Sequence, residues 1–274
     1  MTNSRSFLEY SFSLQGRIMT ASSRFGRCGL LAVLATSAVL ARDPDSLWTV
    51  ETRFDIGMQP GLGPTEDTAA KLTTTSFILP TNQSTGRIRT ASATIDRAAS
   101  VEVPVLFTRP LSESFTLIIG PAIGYTRNTV SWDITGQSAA GESFTGSWRS
   151  TNEALQLKLY AGVGYDLGSG FSIEALPFAS WSFLVIQNND QGTISHVTTS
   201  SGTITSDWAV PNEDGSAMDF GILTGVAWKS EDGLGVALRG GYVVGNGSVS
   251  SASSSEDLHR SGFMTYVEVG WTFR

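Results

Sequence analysis

Hydrophobic and polar positions alternate along most of this chain. Between residues 115 and 125, Phe115, Leu117, Ile119, Pro121, Ile123 and Tyr125 share one face, opposite Thr116, Ile118, Gly120, Ala122 and Gly124. The split recurs from Leu155, where Leu157, Leu159, Val163 and Tyr165 oppose Gln156, Lys158, Tyr160, Gly162 and Asp166. From Phe171, Ile173, Ala175, Trp181 and Phe183 oppose Glu174 and serines. A period of two is the signature of β-strands, and here one face is apolar while the other is small or charged. The apolar face runs about as far as a membrane-crossing strand of roughly 9–11 residues.

Extending this reading predicts eight strands, over residues 47–58, 101–108, 115–132, 154–167, 171–186, 218–228, 234–244 and 263–273. The connections alternate in length. Segments 110–114, 168–170 and 230–233 are tight turns, whereas 59–100, 136–152, 187–216 and 246–260 are long and polar. All short turns therefore fall at one end and all long loops at the other, as in transmembrane barrels and unlike soluble sandwiches. Within the first long segment, 71–80 and 86–95 read as a hairpin extending above the membrane. Counting them as membrane strands gives a ten-strand alternative. Lipid offers no partner to an open sheet edge, so the first and last strands must pair and close the barrel. Aromatic residues near strand ends (Trp48, Phe115, Tyr165, Phe171, Trp181, Trp228, Trp271, Phe273) fit interfacial girdles.

Composition agrees with a fold that hides its apolar residues by alternation. Charged residues make up 16% of the 274, below the ~25% of a typical soluble domain. No run reaches the ~18 apolar residues of a spanning helix. Residues 1–41 read as a secretory signal peptide: Arg24 and Arg27 precede the apolar core CGLLAVLATSAVLA, with Val39 and Ala41 at the positions of a cleavage site. Met19 begins a signal peptide of ordinary length and is the expected start. The mature barrel domain is then 42–274. The chain's single cysteine, Cys28, lies in the segment expected to be removed, which leaves the mature domain no disulfide and no thiolate chemistry. Removing residues 1–41 takes 18 basic and 25 acidic residues to 14 and 24, a net charge near −10. An acidic surface argues against nucleic acid as a partner.

The segments VPVLFTRPLSESFTLIIGPAIGY, LKLYAGVGYDLGSGFSIEA, DFGILTGVAWKSEDGLGVALRGGY and YVEVGWTF resemble the small outer-membrane β-barrels, including the porin-like family and the membrane domain of outer-membrane protein A. The resemblance covers Trp48 to Arg274. It implies an all-β, closed, antiparallel up-and-down barrel in the cell outer membrane, with both termini in the periplasm. It also implies outer-membrane lipid and lipopolysaccharide as surroundings and the outer-membrane assembly machinery as a partner. That machinery reads a terminal aromatic, which here is Phe273, followed by Arg274.

The polar face supplies inward charges: Glu51, Arg53, Asp55, Glu102, Lys158, Asp166, Glu174, Asp219, Lys229, Arg239 and Glu268. An eight-stranded barrel is just wide enough to be filled by side chains, and an isolated buried charge is costly. Arg53, Lys158 and Arg239 are therefore expected to pair with Glu102, Glu174 and Glu268 in a lumen charge network that plugs the barrel. The same groups lining a narrow wet pore give the alternative, a channel for passive diffusion of small solutes.

Catalytic chemistry has little to draw on. His196 and His259 lie in expected loops, and the serines and acids around His259 follow from the loop's composition rather than from a fixed geometry. No catalytic, cofactor-binding or metal-binding residue is assigned, no cofactor is expected, and acidic loops would hold Ca²⁺ only weakly. AGVGY at 161–165 is not followed by a helix and is not a phosphate loop. The sequence thus points to a non-enzymatic envelope protein whose long loops face outward to meet surfaces or ligands.

Overall fold

The computed structural model describes residues 48–74, 76–79, 85–198, 202–208, 210–251 and 255–273. The expected signal peptide and Met19 lie outside the described residues. In chain order the elements are β1 (Thr49–Gln59), β2 (Gly63–Pro64), α1 (Glu66–Thr74), β3 (Ser76–Ile78), β4 (Thr85–Ile95), β5 (Ala98–Pro110), β6 (Phe115–Ser138) and β7 (Ser143–Gly168), followed by β8 (Phe171–Asn189), β9 (Gly192–Thr198), β10 (Gly202–Trp208), β11 (Glu213–Lys229), β12 (Leu234–Ser250) and β13 (Ser255–Phe273).

Eight of these strands form a ring in the order β1, β5, β6, β7, β8, β11, β12, β13, and every neighbouring pair is antiparallel. The ring closes where β13 pairs with β1, from Val50 opposite Phe273 to Met58 opposite Thr265. No ring strand is left with an open edge, as a bilayer requires. The period-two faces select which side meets lipid. Leu157, Leu159, Val163, Phe220, Leu238, Phe263 and Val267 point outward and are exposed, Leu159 by 60% and Phe263 by 74%. Aromatic pairs sit at the two ends of this apolar belt: Phe115 against Tyr165 near the short turns (ring centroids 5.1 Å apart) and Tyr242 against Phe263 near the long connections (5.3 Å). Trp48, Trp228 and Phe273 are only half-exposed.

Some inward positions have no room for a side chain. A Cβ on Gly120 would lie 2.0 Å from the Val105 carbonyl oxygen, and one on Gly162 would lie 2.0 Å from that of Ala175. Glycine at these two sites lets the neighbouring strand's backbone approach closely.

The long connections depart from expectation. Segment 136–152 is not a loop: β6 and β7 run on for 24 and 26 residues, and only residues 139–142 turn. Segment 187–216 contains the β9–β10 hairpin, and β9 pairs with the upper part of β7. Most of 246–260 belongs to β12 and β13. Segment 86–95 is strand β4, but it pairs with the upper half of β6, from Gly86 opposite Ser138 to Ile95 opposite Val130. It does not enter the ring, so the ten-strand count is excluded. Residues 71–74 are helical rather than extended. Thr65 caps α1, its Oγ1 accepting from the Thr68 N–H at 3.2 Å, and Glu66 and Asp67 occupy the first turn, where the helix dipole favours acids.

These extensions continue the same sheet above the ring, in the order β10, β9, β7, β6, β4, β3. The inner face of this upper part packs a core of its own from Leu79, Ile88, Ile134, Phe144 and Ile194, with Leu72 of α1 and Trp148 against it.

Candidate functional site

The barrel interior is where the sequence places its charges, and the geometry divides them into tiers. At the end nearest the short turns is a cavity of about 780 Å³, lined among others by Glu51, Asp166, Trp228 and Lys229. Asp166, expected inside, stands exposed at this rim because it adjoins the 168–170 turn. Lys229 Nζ pairs with Glu51 Oε2 at 3.0 Å, and Glu51 Oε1 meets Arg53 Nε at 3.1 Å.

The cavity ends on a closed square of two arginines and two glutamates. Arg53 clasps Glu174 with both terminal nitrogens (3.1 and 3.2 Å) and reaches Glu268 Oε1 at 2.8 Å. Arg239 meets Glu174 Oε2 at 2.5 Å and Glu268 with Nε and Nη2 at 2.7 and 3.0 Å. Each guanidinium bridges both carboxylates, so removing any one member strands charge in a site only a few per cent exposed.

Glu102 and Lys158 form a separate tier. Lys158 Nζ binds Glu102 Oε2 at 2.5 Å, and the Tyr160 hydroxyl donates to Glu102 Oε1. The ammonium also faces three rings, Phe178 at 4.6 Å and Tyr160 and Tyr266 at 5.5 Å each. This aromatic cage sits within an apolar cluster of Leu106, Ile118, Leu176, Leu223, Val243 and Met264. The six residues expected to form one network thus lie in two groups. Asp55 stands between them on β1, in register with Glu102 on one side and Glu268 on the other.

Two further tiers fill the lumen toward the long connections. Asp219 accepts from Gln156 Nε2 (3.4 Å) and Ser180 Oγ (3.1 Å) and pairs with Arg260 Nε at 3.3 Å. Above it, Leu62 turns into the lumen against Ala154, Val185, Ala217, Val249 and Leu258. Its backbone is gripped by two asparagines. Asn128 accepts from the Leu62 N–H (3.1 Å) and donates to its carbonyl (3.0 Å), and Asn152 donates to the same carbonyl at 2.7 Å.

Sequence reasoning did not identify the Leu62 seal or the Arg260–Asp219 pair. The second was within reach: carrying the alternation back from Met264 puts Arg260 inside, but its Ser-rich surroundings read as loop. The first has no local signal, since Leu62 lies in a Pro- and Gly-rich connection.

The two histidines lie on different strands. His196 lies on β9, opposite Phe144 and Ile204, and His259 lies on β13, opposite Asn246. His259 Nδ1 has no hydrogen-bond partner among the described residues. Among those residues no three His, Cys, Asp or Glu side chains converge as metal ligands.

No family model matches the sequence, and no curated protein matches it. Among solved structures it is similar to Ail, the attachment invasion locus protein of Yersinia pestis, solved in complex with the heparin analogue sucrose octasulfate. That match has 8% identity and a TM-score of 0.32, covering 82% of this chain and 99% of that one. Neisserial surface protein A gives 12% identity and a TM-score of 0.29 over 83% of this chain and 97% of that one. The outer membrane protein OprG from Pseudomonas aeruginosa gives 9% and 0.30 over 83% and 96%. The barrel assignment itself rests on the strand register and ring closure described above.

Proposed function

We propose that this protein is a closed, non-enzymatic barrel of the outer membrane that serves the envelope structurally and holds a rigid polar sheet outside the cell. The observation that carries this reading is the filled lumen. A salt-bridged square, an apolar layer holding Lys158 and the Leu62 seal follow one another along the axis, and the buried cations Arg53, Lys158 and Arg239 each meet a carboxylate. Water-filled pores need a continuous polar path, and the apolar clusters around Tyr160 and around Leu62 interrupt it.

The long connections fit a surface-presenting role. Thr90, Thr135, Thr145, Ser195 and Thr205 stand in cross-strand register over β4, β6, β7, β9 and β10. The row turns hydroxyls outward, with Thr90 and Thr135 2.7 Å apart and Ser195 and Thr205 3.0 Å apart. A paired sheet presents such groups at lower entropy cost than a mobile loop, which suits contact with a polar ligand or surface. Below it, the apolar belt suits outer-membrane lipid, with lipopolysaccharide around the upper rim. Phe273 at the end of β13 is the aromatic that the assembly machinery would read.

Planar-bilayer recording on the purified protein tests the reading: a plugged barrel gives no discrete conductance steps. Reproducible steps that Leu62→Gly enlarges would instead establish the narrow diffusion channel.

A further inference from the structure

At the extracellular mouth, inward side chains from three ring strands converge: Gln187 near the end of β8, Glu213 at the start of β11 and Glu256 near the start of β13. Gln187 and Glu213 are cross-strand partners. Glu256 is separated from Glu213 by β12 in the ring, so it meets the other two across the lumen. Gln187 Nε2 donates to Glu256 Oε2 at 3.3 Å, at the long end of the range for such a bond. Glu213 acts on Glu256 as carboxylate upon carboxylate.

The cluster has acceptors to spare. Gln187 is 3% exposed, and its amide oxygen, buried with it, has no hydrogen-bond partner; the same holds for Glu256 Oε1. The amide oxygen can only accept, and so can an ionised carboxylate, so what completes this site must bring positive charge or donors. Burial, and with it the charge of Glu213, pushes the Glu256 carboxyl up to about 7 against the lowering effect of the Gln187 hydrogen bond. Carboxylate and amide oxygens from separate strands are the donor set of a hard cation with tolerant geometry. Ca²⁺ accepts such oxygens at about 2.3–2.6 Å and fills its remaining positions with water, whereas Mg²⁺ demands a near-ideal octahedron.

We infer that Gln187, Glu213 and Glu256 form a divalent-cation site of the calcium type at the extracellular mouth. The bound ion ties β8, β11 and β13 together directly above the Leu62 seal, since Val185 and Leu258, two residues from Gln187 and Glu256, pack in the same cluster as Leu62. Calcium outside the cell would thereby hold the mouth shut.

Calorimetric titration of Ca²⁺ into the detergent-extracted protein at pH 8, after chelator treatment and removal of lipopolysaccharide, tests the site. One saturable site is expected. Glu256→Gln and Glu213→Gln should each weaken it by tenfold or more, while Asp133→Asn, the same charge change on the exposed outer sheet, should leave it unchanged. Calcium should also raise the temperature at which the folded band converts to the unfolded one on a gel in the native protein but not in Glu256→Gln, and folded-band mobility before heating verifies that each variant folds. The proposal is overturned if binding is absent or not saturable, if it survives the double variant Glu213→Gln/Glu256→Gln, or if Asp133→Asn weakens it equally.

Discussion

The β6–β7 hairpin passes through two environments without breaking register, and its two halves have opposite polarity. In the lower half, outward Phe115, Ile123, Tyr125, Leu157 and Leu159 are apolar, while inward Gln156 and Lys158 are polar. In the upper half, outward Asp133, Thr135, Thr145 and Ser147 are polar, while inward Trp132, Ile134 and Phe144 are buried and apolar. The side-chain period does not slip between them, because β6 and β7 stay paired residue for residue from Phe115 opposite Tyr165 to Gln137 opposite Ser143. The surroundings change instead. Around the lower half the outer solvent is lipid, and around the upper half it is water, so the apolar side of one continuous strand pair switches from outside to inside. The reversal, near Thr126 and Ala154, marks the edge of the bilayer. Thr135 lies beyond that edge by on the order of 30 Å of strand at ~3.3 Å per residue.

The comparison breaks most severely where a buried charge loses its partner. Lys158→Met leaves Glu102 inside the ring with only the Tyr160 hydroxyl, and it is expected to cost ~3–5 kcal/mol. The double variant Lys158→Met/Glu102→Gln should recover much of that, as read by urea unfolding into lipid vesicles. In the upper half the equivalent injury is apolar. Phe144→Ala opens the core beneath the outer sheet and is expected to cost ~3–5 kcal/mol, but locally: limited proteolysis should cut the extension while the folded band of the ring persists on an unboiled gel.

The outward faces give a sharper contrast. Leu159→Arg places a charge in the apolar belt and should destabilise by ~2–4 kcal/mol in bilayers. Thr135→Arg, on the outward face of the same hairpin, should change stability by no more than about 0.5 kcal/mol. Equal effects in the two positions would mean that the belt ends elsewhere.

The smallest expected effect is a pH dependence confined to the mouth. The Glu256 carboxyl is held at about 7 in the fold against 4.5 for an ordinary glutamate, so the folded state favours the protonated form. Its contribution is fully present below pH 4.5 and is lost as the pH rises through about 7. In chelator, the temperature of the gel-shift transition should fall over that interval, and Glu256→Gln should remove that component of the fall.

The ring was legible in the sequence because lipid imposes a strict rule on every second residue, and the rule survives without knowledge of neighbours. Closure followed from the cost of an open edge and is found as β1 against β13. The upper part of the sheet was not legible, since its outward Ser and Thr resemble loop composition and its inward Ile134 and Phe144 count as core only once Ile88 and Ile194 are beside them. The helix α1 is nine residues long and leans on β13 through Lys71 and Asp257, 3.2 Å apart, so its periodicity alone is weak. Charge positions inside the barrel could be read, but their partners depend on strand stagger. That is why Lys158 and Glu102 stand apart from the arginine square.

The most direct test of the polarity reversal is a scan of single cysteines, made in the chain lacking Cys28, along the outward positions of β6 and β7. Spin labels at these positions are compared for collision with oxygen, which concentrates in lipid, and with a water-soluble nickel complex. The account predicts oxygen-dominated relaxation at Ile123, Leu157 and Leu159, nickel-dominated relaxation at Asp133, Thr135 and Thr145, and the crossover between Tyr125 and Thr129. A single uniform environment along both halves, or a crossover near the hairpin tip, would contradict it.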